Sequence, residues 1–417
     1  MKNNTNYKIK PFIFICFISQ MIYGVNILKT VLYDPFRQLL NISNTDVGVI
    51  FSALGLMGML AYIPSAWLID RFQERKVIGI SLFYVGITTL LLVFNPSFYI
   101  LLFIFMSWGF TQSGPFFCAI LKVIRCIHSE NRQSRGFSAF ETLRGVTELT
   151  LSFIAILAFS NSLHGTVGIK LYIISCGIIN MVIGVAAFYI IPNIDKEKKQ
   201  HIKSSSLNKT KEALQLKQTW LVALSLLGIY TIHVCFQWFF PYIKSLLSIP
   251  ESKTALVMLL ATSLIRIISA PLGGLASEKI FKKSYIFIRY CTSIVIVVLC
   301  VNITLTIYDN HVNSLYLLII IPFFIYALRS VYFAPVGELG IPKDISGSAI
   351  SIIAFIGYSP VFWLNYICGY LIDNFDKHSA FLFMLLIMTT GAIVTLSSVF
   401  IMMSIERYQP KTSRVYS

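Results

Sequence analysis

Residues 192–217 read PNIDKEKKQHIKSSSLNKTKEALQLK, a polar stretch with seven lysines in a 417-residue chain that is 56% hydrophobic and 12% charged. On each side of it lie six apolar runs, each long enough to cross a bilayer, which takes about 20 helical residues. Before it they fall near 11–33, 46–69, 77–95, 98–122, 137–159 and 168–191. After it they fall near 218–243, 253–276, 286–307, 314–337, 347–372 and 380–403. The expected fold class is an all-α integral membrane protein, with twelve transmembrane helices in two pseudo-symmetric six-helix bundles. The expected domains are an N-terminal bundle over 1–192, a cytoplasmic basic linker over 193–217, and a C-terminal bundle with a short cytoplasmic tail over 218–417.

A net charge of +16 raises the question of nucleic acid. Its placement answers it: about 23 of the 34 Lys and Arg fall in segments on the side of the linker and both termini. That asymmetry is the positive-inside pattern, which makes this side the cytoplasm and needs no anionic polymer. Lys8 and Lys10 precede an apolar run too long for a signal peptide, so an uncleaved first helix is expected. The eight cysteines lie in or at the ends of apolar runs without CxxC spacing, as small buried hydrophobes rather than a disulfide or metal framework.

The two halves read as copies of one another. The second run ends in AWLIDRFQERK (66–76) and the eighth in GGLASEKIFKK (273–283). Arg135-Gly136 with Gly145 following is matched by Ser346-Gly347 with Gly357 following. Such duplication suits a carrier whose halves rock around a site at the bilayer midplane.

At these residues the sequence resembles the major facilitator superfamily, over essentially its whole length. Ala66, Leu68, Asp70, Arg71, Phe72, Arg75 and Lys76 match the family's loop between helices two and three in type and place. Gln73 stands for the second Gly and Glu74 for an Arg; in the second half, Ser277-Glu278 stands where Asp is expected. The tract YFAPVGELGIPKDISGSAISIIAFIGYSP (332–360), with Lys122, Arg125 and Arg144-Gly145, resembles a bacterial branch related to sugar-phosphate and hexuronate carriers of organic anions. The resemblance implies a cytoplasmic latch between the halves, with Asp70, Arg71, Arg75 and Glu278 as gating residues. Asp70 ends its helix, where the helix dipole disfavours an acid, so it needs a cation or a neighbouring helix N-terminus. A solvated loop acid is the plain alternative.

Charges inside the apolar runs are costly, so each calls for a partner or a role. Helix one holds Lys29, helix four Lys122, helix five Glu141, Arg144 and Glu148, helix seven His233, helix eight Arg266 and helix ten Arg329. Helices three, six, nine and twelve hold essentially none away from their ends; in the resembled fold these four face lipid. Helical spacing puts Tyr23 and Asn26 with Lys29, and Tyr230 and Gln237 with His233, on common faces. These residues, with Arg266 and Arg329, form the expected substrate-binding set. Lys122 and Lys29 have the alternative of snorkelling to an interface. His233 has that of a packing histidine, and the two arginines that of a buried structural pair.

Glu141, Arg144 and Glu148 follow i, i+3, i+7 spacing on one helix face. They form either a self-neutralising ladder or a proton-coupling group with Glu148 as carrier. Apart from them the deep charges are basic, which favours an anionic solute, since Arg clamps carboxylate or phosphate with paired hydrogen bonds.

The expected function is a secondary active transporter for a small organic anion, working by alternating access, coupled to a proton or to a counter-anion. No P-loop, GxSxG or HExxH motif points to an enzyme or an ATP-driven pump, and no cofactor is expected. A multidrug exporter is the alternative within transport. It is disfavoured because helix five carries a single internal Gly and no Pro, and because the deep charges outside helix five include no acid. A transporter-like nutrient sensor is a further alternative, with only the linker and tail as a partner surface. Expected partners are the solute, a proton or counter-anion and the lipid bilayer, with no nucleic acid and a monomeric state. The expected location is the bacterial inner (plasma) membrane, with both termini cytoplasmic.

Overall fold

The computed structural model describes residues 6–127, 133–162, 165–192, 206–239, 250–308, 311–342 and 345–408. Among these residues ten helices are long and apolar enough to span a bilayer, and two shorter apolar helices, Lys10–Met21 and Tyr316–Arg329, bring the set to twelve. The first half holds α1 (Asn6–Met21), α2 (Asn44–Arg71), α3 (Glu74–Leu91), α4 (Phe98–Trp108 and Phe117–Ile127, joined by a π-helical stretch), α5 (Gln133–Ser160) and α6 (Gly165–Ile190). The second holds α7 (Lys217–Phe236), α8 (Glu251–Leu259 and Ile265–Leu275, again joined through a π stretch), α9 (Ser284–Ile307), α10 (Ile321–Arg329), α11 (Ser346–Gly357 and Pro360–Asn374) and α12 (Lys377–Tyr408). No strand occurs among the described residues. The protein is an all-α, multi-pass membrane protein of two six-helix bundles.

Several runs expected to be continuous are broken. The first is helical to Met21, turns through 22–27, and resumes as Leu28–Val31 and Tyr33–Leu40. In a bilayer the freed backbone groups need partners, and neighbouring helices supply them. The Gln112 amide of α4 donates to the Ile22 carbonyl at 3.0 Å, and the Tyr172 hydroxyl of α6 to that of Gly24 at 2.9 Å. The tenth run is interrupted between Leu318 and Ile321 and again after Arg329. The linker is not wholly irregular either: Ser206–Gln215 is a helix packed against the first part of α11.

Among the described residues all twelve helices expose apolar side chains, so exposure alone does not single out helices three, six, nine and twelve. Ile80 and Ile87 of α3, Leu171 and Val182 of α6, Val297 of α9, and Phe400 and Ile401 of α12 are exposed, as suits contact with lipid tails. Between the halves the contacts gather along α2 with α11 and α5 with α8. Lipid tails are as apolar as Leu, so such seams depend on close backbone approach and polar contacts. At Gly48 of α2 an added Cβ would lie 2.5 Å from the Asn365 carbonyl oxygen of α11, a distance that only glycine permits.

The start of α3 explains the unusual loop before it. Glu74 is buried and its carboxylate meets the Lys122 ammonium of α4 at 2.7 Å. In the second half the corresponding helix start is held differently: the Ser284 backbone N–H donates to both oxygens of Glu338, at 2.8 and 2.9 Å. The third helix of the bundle is thus tied to the fourth in the first half, and in the second half to the short helix Pro335–Glu338 that follows α10, with the carboxylate on opposite partners.

Candidate functional site

Helical phase brings α5 and α8 face to face, and their charges meet across the two halves. Arg266 donates from one guanidinium nitrogen to Glu148 and from the other to Glu141, each at 2.6 Å. Glu141 also holds Arg144 of its own helix at 2.9 Å. The expected ladder is therefore half present: Arg144 takes Glu141, whereas Glu148 is taken by the other half. Gln20 of α1 adds a 3.3 Å bond from its amide to the same Glu148 oxygen that Arg266 holds. The Arg144 guanidinium rests over Phe117 and Phe140, 5.5 and 5.4 Å from their ring centres.

A second cluster forms between α7 and α10. Arg329 donates to His233 Nε2 at 3.0 Å and to the Tyr230 hydroxyl at 3.3 Å. Arginine has no acceptor, so Nε2 here offers its lone pair and the ring is in a neutral form. Gln237 lies 3.3 Å from the same nitrogen, completing the set that helical spacing placed on one face. Tyr326 joins the clusters, with Arg329 5.6 Å and Arg266 6.0 Å from its ring centre. An aromatic wall continues from Tyr230 to Tyr358, 4.5 Å between ring centres, and Tyr358 shares a 3.0 Å hydroxyl contact with Tyr332.

Charge counting separates the two arginines. Three guanidiniums (Arg144, Arg266 and Arg329) meet two carboxylates (Glu141 and Glu148), which leaves one positive charge. Among the described residues no carboxylate lies within ion-pair distance of Arg329, so the surplus resides there.

Other expected substrate residues stand elsewhere. Tyr23 and Asn26 bind Gln112, at 3.1 Å each, and brace the turn in the first run. Lys29 is buried away from both clusters; its ammonium donates to the Asn365 side-chain oxygen and sits 4.6 Å from the Phe51 ring centre and 4.4 Å from that of Trp238. Lys122, taken as a deep cavity charge, is the partner of Glu74. Of the gating set, Arg71 and Glu278 are exposed, and Arg75 donates to Gln73 at 3.3 Å. The side chain of Asp70 lies outside the described set, as do those of Arg125 and Arg135.

Sequence reasoning passed over Gln20, Gln112, Tyr358 and Asn365. A polar residue inside an apolar run was the available signal for three of them. For Tyr358, helical spacing was none, because α11 breaks between Gly357 and Pro360.

Comparison with known proteins agrees with this architecture. Escherichia coli (strain K12) inner membrane protein YihN is 24% identical over 361 residues, covering 84% of this chain and 85% of its own. "Probable galactarate/D-glucarate transporter GarP" of the same organism is 33% identical over 95 residues only, 23% of this chain and 21% of its own. Among solved structures, a bacterial homologue of the human lysosomal transporter Spinster, in an inward-facing, unoccupied conformation, matches with a TM-score of 0.73 at 12% identity, over 97% of this chain and 98% of that one. At that identity the likeness speaks for the fold. The family model described as Major Facilitator Superfamily matches residues 12–363, and the chain belongs to that superfamily of membrane transporters.

Proposed function

We propose that this transporter carries a small organic anion by alternating access and that Arg329 binds the anionic group. The observation that carries this reading is the contrast between two neighbouring arginines. Arg266 is already neutralised by Glu141 and Glu148, while among the described residues Arg329 meets neutral partners, His233, Tyr230 and the Tyr326 ring, and no carboxylate in ion-pair distance. A guanidinium without a counter-ion between helices is an unmet demand for an anion. The tyrosines around it offer ring faces and hydroxyls to the rest of the solute. The short match to a protein named as a galactarate/D-glucarate transporter supports the same solute class.

In this reading Arg266 couples the halves rather than holding the solute. A proton on Glu148, or an incoming anion competing for Arg266, would weaken the bridge between α5 and α8 and let the halves rock. Lysine placement puts the termini and linker in the cytoplasm of a bacterial inner membrane. The closed seam where α2 begins and α11 ends then faces outward. The domain division at 193–217 is the proposed boundary between the moving bundles.

Proteoliposomes loaded with D-glucarate, D-gluconate or inorganic phosphate, and assayed for uptake of the same labelled compounds, test the reading. Uptake or exchange of at least one, abolished by Arg329→Ala, is expected. Transport of none of them, together with uptake of neutral or cationic solutes, overturns it.

A further inference from the structure

The outward-end seam holds a continuous line of contacts that passes back and forth between the halves. At the rim, Asp373 of α11 accepts from the Asn44 side chain at 2.6 Å, from the Thr45 backbone N–H at 2.6 Å and from the Thr45 hydroxyl at 2.7 Å. Asn44 in turn accepts from the Tyr33 hydroxyl at 2.7 Å. The Tyr33 ring meets Trp238 of the other half edge-on, 5.7 Å between centres. The Trp238 indole donates at 2.9 Å to the Asn365 side-chain oxygen, which also accepts from Lys29 of the first half. The line therefore runs Asp373, Asn44, Tyr33, Trp238, Asn365, Lys29 and changes halves at three of its five links.

Two features show that these contacts serve closure rather than the folding of each half. First, α2 already has a complete local cap: Ser43 accepts from the Asp46 N–H at 3.0 Å and Asp46 accepts from the Ser43 N–H at 2.9 Å. That box starts the helix without help, so Asp373 adds a second cap that exists only when the halves meet. Second, Lys29 is buried with no carboxylate in ion-pair distance among the described residues, and its charge is housed by an amide oxygen and two rings. The amide and one ring belong to the opposite half. Such a cation is tolerable in the closed seam through those partners and in an open seam through water, and intermediate separations serve it poorly. That arrangement favours two discrete states.

We propose that this line is the outer gate of the transport path, with Asn365 as its buried fastening and Asp373 as its rim fastening. It rests on the reading that the halves part during transport, but not on the identity of the solute. Two native thiols report on it: Cys235 and Cys368 lie behind the seam, their sulfurs 4.0 Å apart and both fully buried. Cys16 and Cys176, also buried, lie on α1 and α6 within the first half and serve as internal controls.

The test is labelling of the purified full chain with a water-soluble maleimide, each cysteine being followed by peptide mass spectrometry. Asn365→Leu should raise the labelling rate of Cys235 and Cys368 roughly ten-fold or more, because it leaves Lys29 buried without its acceptor. Asp373→Ala, at the exposed rim, should raise it by a smaller factor, roughly two- to five-fold. Cys16 and Cys176 should label as in the wild type in both variants. Unchanged labelling of Cys235 and Cys368 overturns the proposal. So does a parallel rise at all four cysteines, because the contacts would then be holding the fold and not a gate. Asp373→Ala changes a surface residue, so it keeps the test decisive should Asn365→Leu fail to fold.

Discussion

Arg266 and Glu148, 118 residues apart in sequence, meet at 2.6 Å across the interface between the two halves of the molecule. This bond makes the coupling proposal specific. Glu148→Gln removes the group that can lose a proton but leaves Arg266 bonded to Glu141 at 2.6 Å, so the protein should still insert and fold. Uphill uptake driven by a pH gradient should be lost, while solute-for-solute exchange survives. Side-by-side assays of the two modes decide it, and equal loss of both modes would assign Glu148 a structural role. Wild-type uptake that ignores the gradient would point to obligate anion exchange.

Arg329 is expected to dominate solute affinity. Arg329→Ala should weaken binding at least ten-fold, about 1.4 kcal/mol, and Arg329→Lys should restore it only in part, because an ammonium cannot form the paired bonds of a guanidinium. Thermal-shift titration with a transported anion measures both. Normal affinity in the Ala variant would remove Arg329 from the solute site.

Lys122 should behave as a structural residue. Its partner Glu74 is almost completely buried while Lys122 keeps about a quarter of its side chain exposed. Glu74→Gln and Lys122→Met should each lower the melting temperature by a few degrees, in keeping with about 1 kcal/mol in a large protein. Solute affinity should not change in either. A large affinity loss in Lys122→Met alone would return Lys122 to the solute path.

Gly48 should be intolerant of any side chain in the closed state. A Cβ there meets backbone of α11 at 2.5 Å, and backbone cannot swing aside. Gly48→Val should hold the seam apart, stopping transport while solute binding persists. Normal transport by this variant would show that α2 and α11 do not need to touch in the cycle.

Orientation is checked by single cysteines at Lys211 in the linker helix and at Ser97 between α3 and α4. With an impermeant reagent on intact cells, the second should label and the first should not. The reverse pattern would invert the membrane sidedness, and with it the outward placing of the α2–α11 seam.

Composition and periodicity determined a good deal of this protein. Apolar run length gave the helices, because hydrocarbon thickness sets how many residues must avoid charge. The lysine-rich stretch before residue 217 suggested the division into halves, and i, i+3, i+7 spacing put Glu141, Arg144 and Glu148 on one face, which is where they are found. What spacing could not decide was the partner. A helical face fixes direction, but the rotation of its helix against a neighbour selects the contact. So Glu148 went to Arg266 rather than Arg144, Lys122 to Glu74, and Lys29 to an amide and two rings. The break at 22–27 belongs to the same class, since a helix in a bilayer opens only where other helices bring donors to its freed carbonyls. Gln112 and Tyr172 do so from α4 and α6, 90 and 148 residues away.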